Sequence, residues 1–100
     1  PTLIFDEVDV GIGGSVADAV GRRLARLGET RQVLVITHLP QVAARGARHL
    51  RVSRQANGRF VSSSITALDA DARVEEIARM LGGLRITATT RQHAAEMLAG

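Results

Sequence analysis

The sequence predicts an α/β fold: parallel strands with flanking helices, joined to a β-hairpin. Three observations carry this. Two short continuous apolar runs, residues 1–5 and 33–36, bracket an amphipathic helical stretch, the pattern of a buried parallel strand-helix-strand unit. Asn57-Gly58 stands between two strand-like runs, the signature of a tight hairpin turn. Two further helical patterns then close the chain.

The first strand is stopped by the acids Asp6 and Glu7, and a glycine-rich turn, Gly11-Ile12-Gly13-Gly14, follows. Ser15 with Asp18 three residues on predicts a capping box opening a helix. Val16, Val20, Leu24 and Leu27 form its apolar stripe. Gly28 ends it, with Arg22, Arg23 and Arg26 towards the negative end of the helix dipole. The run 33–36 is too short for a helix and rich in β-branched residues. The short connections place it parallel to the first strand, both buried on two faces. Thr37-His38-Leu39-Pro40 ends it, and Pro40 opens a short helix over residues 41–45. The hairpin strands are read as 49–53 and 59–65. From Asp69 the apolar residues Val74, Ile77, Ala78 and Leu81 recur at helical spacing, closed by Gly82-Gly83. A last helix covers 88–98, with Ala94, Met97 and Leu98 on one side. With 100 residues and neither repeat nor linker, the chain reads as one domain or part of one.

Composition removes whole classes of chemistry. No apolar run reaches the ~20 residues of a membrane-spanning helix. Absence of cysteine excludes disulfides, thiolate zinc sites and cysteine nucleophiles, and fits a reducing, cytoplasmic setting. All 13 basic residues are arginine, so there is neither a Schiff-base lysine nor a phosphate-loop lysine. The net charge of +3 is too mild to imply nucleic acid. The core is aliphatic, since Phe5 and Phe60 are the only aromatic residues. The chain opens on an apolar strand at Pro1, as expected of a piece of something longer.

The chemistry concentrates at two strand ends. An apolar strand that delivers Asp6 and Glu7 at its C-terminal end places them on the rim where open α/β sheets bind ligands. Successive strand residues point to opposite faces, so the two acids cannot do the same job. One can hold a hard cation such as Mg²⁺, and the other can act on an attacking water. His38 follows the second strand as the acids follow the first, which predicts all three at one rim; its imidazole can donate a hydrogen bond to a phosphate oxygen. His49 and His93 lack such company and read as structural or surface residues. Gly11 to Gly14 does not make the dinucleotide fingerprint, because Val16 stands where a third glycine belongs, and without lysine it is no phosphate loop. Asp6-Glu7-Val8-Asp9 also lacks the Asp-x-Asp spacing of a topoisomerase-primase metal site. Arg45, Arg48, Arg51 and Arg54 recur every third residue across a partly stranded segment and read as a solvated edge that discourages strand pairing.

Leu3-Ile4-Phe5-Asp6-Glu7 resembles the Walker B strand of ABC-type ATPases, including the SMC-like chromosome and repair proteins, and Thr37-His38 resembles their switch-histidine loop. More narrowly, three stretches resemble the C-terminal end of the RecN family of bacterial DNA repair proteins. These are Phe5-Asp6-Glu7-Val8-Asp9-Val10-Gly11-Ile12-Gly13-Gly14, Thr37-His38-Leu39-Pro40-Gln41-Val42-Ala43, and Val74-Glu75-Glu76-Ile77-Ala78-Arg79-Met80-Leu81-Gly82-Gly83. The resemblance covers essentially the whole chain. It implies the C-terminal part of a P-loop ATPase head, in which Asp6 helps hold Mg²⁺ through water, Glu7 polarises the attacking water and His38 contacts the γ-phosphate of ATP. Residues 10–14, with Gly11, Gly13 and Gly14, would form the D-loop that crosses between two heads. Many ABC ATPases carry aspartate where Gly13 stands.

The resemblance further implies ATP sandwiched in a homodimer of heads, DNA as a partner of the full-length protein, and a cytoplasmic, nucleoid-associated setting without membrane contact. The phosphate loop, signature motif and coiled coil would precede Pro1, in the missing N-terminal half of the head. The 100 residues alone are therefore expected neither to hydrolyse ATP nor to bind it tightly, and to expose apolar surface. The competing readings are the head of another SMC-like or ABC-type ATPase, and a non-catalytic interaction module in which Asp6, Glu7 and His38 merely end strands. Separated or antiparallel strands would favour the last.

Overall fold

A computed structural model describes residues 2–6, 11–83 and 85–100. Strand β1 (Thr2–Asp6) lies parallel to β2 (Gln32–Ile36), in register from Thr2 opposite Gln32 to Asp6 opposite Ile36. The ladder carries β1 one residue beyond the expected end at Phe5; Pro1 lies outside the described residues. Helix α1 (Gly14–Gly28) makes the crossover and packs against β2, as the apolar runs and short connections require. Leu3, Phe5, Val33 and Val35 alternate as half-buried positions. The opposite face is open, with Ile4 66%, Leu34 45% and Ile36 52% exposed. The expectation of burial on both faces is therefore corrected: among the described residues, nothing packs on the second face.

Two details of α1 also depart from the sequence reading. Its N-cap is Gly13, which makes no side-chain cap, and the helix begins one residue before Ser15. The Ser15–Asp18 box does not form, because the Asp18 carboxylate is taken by Arg22 and Arg45. Val16 lies 53% exposed, and the buried positions are Ala17 and Gly21. Small residues win there because a second helix comes close. That helix is α2 (Pro40–Ala43), a single turn with Pro40 at its first position, where the missing N–H costs nothing.

The hairpin pairs β3 (Leu50–Asn57) with β4 (Phe60–Ala67), antiparallel, from Leu50 opposite Ala67 to Asn57 opposite Phe60. Each strand begins one residue later than expected and runs further: β3 passes 53 because pairing continues through Arg54 and Gln55 up to the turn, and β4 passes 65 through Thr66 and Ala67. Gly58 enters that turn at φ +61°, a conformation that favours glycine. Residues directly opposite share a face, so Leu50, Val52, Ala56, Val61, Ile65 and Ala67 form one apolar surface with Arg54 and Ser63 among them. This surface is open: Val52 is 66% exposed, Val61 and Ile65 69%.

Helix α3 (Ala70–Gly82) is capped by Asp69, whose side chain accepts the Ala72 N–H at 2.8 Å. Helix α4 (Ala88–Ala99) opens on a reciprocal box between Thr87 and Thr90. The two pack together, and Ile77, Ala78, Ala94 and Ala44 of the α2 cap form the buried core, flanked by Val74, Leu81, Met97 and Leu98. Glu76 is buried yet charged, and it is held by two arginines: Arg51 of the hairpin, 3.3 Å away, and Arg79 one turn along. Its hydrogen bond to Arg79 raises that guanidinium's pKa above the ordinary arginine range. Among the described residues no helix is long and apolar enough to cross a membrane.

Candidate active site

The parallel register fixes what the sequence could only anticipate about the rim. Asp6 ends β1 level with Ile36, and His38 follows two residues later at the same end of the neighbouring strand. The spacing between adjacent strands is about 4.8 Å, so the two side chains arise from neighbouring points of one edge. Asp6 and His38 are both exposed. Glu7 lies outside the described residues, as do Val8, Asp9 and Val10.

Local chemistry shapes the His38 loop. The Thr37 hydroxyl accepts the Leu39 N–H at 3.0 Å, tying the backbone across His38. The Leu39 carbonyl accepts the N–H groups of Val42 and Ala43 at 3.2 and 3.0 Å, so the loop passes directly into α2. In the glycine cluster, Gly11 and Gly14 adopt φ of +77° and +56°, which non-glycine residues rarely take. Nothing lies within 4 Å of where their side chains would start, so backbone conformation rather than close approach is what requires glycine. Gly13 is extended at φ −166°, a conformation open to any residue.

Among the described residues no three His, Asp or Glu side chains converge.

The arginine series is not one solvated edge. Arg45 pairs with Asp18 at 2.9 Å and Arg51 with Glu76, whereas Arg54 is exposed on the hairpin. The carboxyl of Asp18 is held below its ordinary pKa first by the hydrogen bond from Arg45 and then by that from Arg22. Arg73 caps the end of α2, donating to the carbonyls of Ala43 and Gly46. Its burial lowers its pKa from the usual arginine value. His49 is half-buried beside it, and burial, then Arg73, pushes the imidazole pKa down against the opposing pull of Glu76. His93 is exposed on α4. The Asp18–Arg45 contact spans 27 residues, and no local signal in the sequence could have announced it.

No family model matches the chain. Over nearly all of its length, however, it is similar to curated proteins. It is 54% identical over 98 residues to the DNA repair protein RecN of Xylella fastidiosa (strain Temecula1), and 50% identical over 100 residues to that of Deinococcus radiodurans. It is 49% identical over 98 residues to that of Vibrio cholerae. The match is to a C-terminal segment of RecN. The chain spans 18% of the length of each of these RecN relatives, and 98%, 100% and 98% of its own. A solved structure from work on ATP-driven dimerization and DNA stimulated activation of SMC ATPases superposes with a TM-score of 0.69, at 18% identity. That superposition covers 85% of this chain and 50% of the other. The two share a fold, which in this chain is a parallel strand pair with flanking helices and an antiparallel hairpin.

Proposed function

We propose that these 100 residues form one part of the ATP-hydrolysing head of a RecN-like protein of DNA double-strand break repair and recombination, and that they supply its Walker B carboxylates and switch histidine. The observation that carries this reading is the parallel β1–β2 register, which brings Asp6 and His38 to one rim. The similarity to RecN along the chain supports the family of chemistry, and the SMC ATPase fold supports the head.

In this reading each strand end has one task. Asp6 helps hold Mg²⁺ mainly through water. Glu7, the next residue, accepts a hydrogen bond from the attacking water and orients it. His38 donates a hydrogen bond to a γ-phosphate oxygen, so its contact exists only while the terminal phosphate is present. When bound, ATP would supply the electrophilic phosphorus, and Mg²⁺ the positive charge that offsets its phosphates. Positioning and electrostatic stabilisation then carry the reaction, as in phosphoryl transfer generally. Gly11, Gly13 and Gly14 form the D-loop facing a second head in an ATP-sandwiched homodimer, with DNA as the partner of the assembled, cytoplasmic and nucleoid-associated protein.

The phosphate cradle comes from chain beyond these residues, which contain no lysine. The rest of the head also covers the open faces of both sheets, where Ile4, Ile36, Val52 and Ile65 otherwise stand in water. On its own the segment neither binds ATP tightly nor turns it over.

The test is Glu7→Gln in the full-length protein, which keeps the shape and removes the base. ATP binding should persist while turnover falls by about 10²-fold or more. Unaltered turnover would refute the assignment.

A further inference from the structure

Helix α2 is fastened to α1 by two contacts of different kinds. The first is steric. A Cβ built on Gly21 would lie 2.9 Å from the Gln41 carbonyl oxygen, 3.0 Å from the Arg45 Cγ and 3.2 Å from the Val42 Cα. The helices thus meet backbone to backbone, an approach only glycine permits. The second is ionic. Arg45 donates from Nη2 and Nε to one Asp18 oxygen at 2.9 and 3.3 Å, and Arg22 donates to the other at 2.9 Å. The Arg45 side chain is only 20% exposed, so this pair is better shielded than an ordinary surface ion pair.

What α2 carries makes the clamp consequential. It is one turn long and begins two residues after His38. The Leu39 carbonyl anchors its first N–H groups, and the Thr37 hydroxyl holds Leu39 from the other side. A shift of α2 on α1 therefore moves His38 along the rim relative to Asp6, because no slack segment lies between. Arg73 from α3 donates to the carbonyls of Ala43, Ala44 and Gly46, so it holds the same end of α2 as Arg45. The Gly21–Gln41 approach holds the end nearer His38, so loosening either contact shifts α2 on α1 without releasing it.

We infer that Asp18, Arg45 and Gly21 are positioning residues that set where His38 stands at the rim of the sheet. This rests on the proposed role of His38 at the γ-phosphate. Misplacing a group that acts on a transferring phosphoryl costs rate, whereas ground-state affinity resides in the phosphate cradle elsewhere.

The experiment uses the full-length protein and reads ATP turnover and ATP affinity separately, with thermal unfolding to confirm folding. Asp18→Ala and Arg45→Ala should each lower kcat by about tenfold or more while leaving the ATP dissociation constant within about twofold. Gly21→Ala should do the same without changing any charge. Asp18→Glu, which can still reach both arginines, should restore most of the rate. On a His38→Ala background, Asp18→Ala should have little further effect, because the two act through one group. Equal losses in kcat on both backgrounds, or a loss confined to affinity, would overturn the inference and leave the role of His38 standing. Unchanged turnover in His38→Ala itself would instead remove the reading of the site on which the inference rests.

Discussion

Among the described residues Ile77 is the largest side chain with no exposure at all, and it sits where α3, α4 and the end of α2 meet. Ile77→Ala removes three carbons from that point. At about 0.8 kcal/mol for each buried methylene equivalent, the transfer loss alone is about 2.4 kcal/mol. A cavity cost follows. Ala44, Ala78 and Ala94 cannot fill a void, whereas Val74, Leu81, Met97 and Leu98 packed against them can relax in part. The loss should therefore lie in the middle of the usual range, about 3–4 kcal/mol. Native-state hydrogen exchange resolved by mass spectrometry is the right assay, because it reads the opening of α3 and α4 without requiring two-state unfolding of a longer protein. Peptides from α3 and α4 should lose about two to three orders of magnitude in protection, with those from β1 changing less. A loss below about 1 kcal/mol would mean that Ile77 does not hold these helices together.

Two further outcomes follow from the surface and from charge. In the full-length protein, a cysteine introduced as Val52→Cys on the apolar hairpin face should react with thiol reagents far more slowly than one introduced as Arg59→Cys in the turn; equal rates would show that the face stays open to water. His49 has a depressed pKa in the folded state, so unfolding takes up a proton wherever the unfolded imidazole, near 6.5, is charged. Its contribution is complete above that value and is lost as pH falls through it towards the folded pKa, and His49→Gln should flatten the decline in melting temperature between about pH 7 and pH 5.

The parts of the fold legible in the sequence are those set by local pattern. The two apolar runs are strands because they are short, continuous and bounded by polar residues, and their parallel pairing follows from the helix between them. The hairpin is announced by Asn57-Gly58, but its length is not, because Arg54, Gln55 and Ser63 extend the ladder without apolar alternation to mark it. The Ser15 cap fails partly for a reason invisible locally: Asp18 is taken by Arg45, 27 residues on, as well as by Arg22 one turn away. The Thr87–Thr90 box went unread because threonine stands where the pattern asks for Glu or Gln. At the site, Asp6 and His38 are legible since strand ends need only a register to meet. Asp18, Arg45 and Gly21 are not, since their contacts form only when α2 folds back onto α1. The open faces of both sheets, too, lie beyond local pattern, because an apolar run does not say what will cover it.

The most direct measurement of the central claim is a structure of the full-length Glu7→Gln protein with Mg²⁺ and ATP. The triphosphate should lie at the C-terminal rim of β1 and β2, the Asp6 carboxylate one water from the metal and the His38 imidazole within hydrogen-bonding reach of a γ-phosphate oxygen. A nucleotide seated at the opposite end of these strands, or a His38 ring turned away from the terminal phosphate, would contradict it.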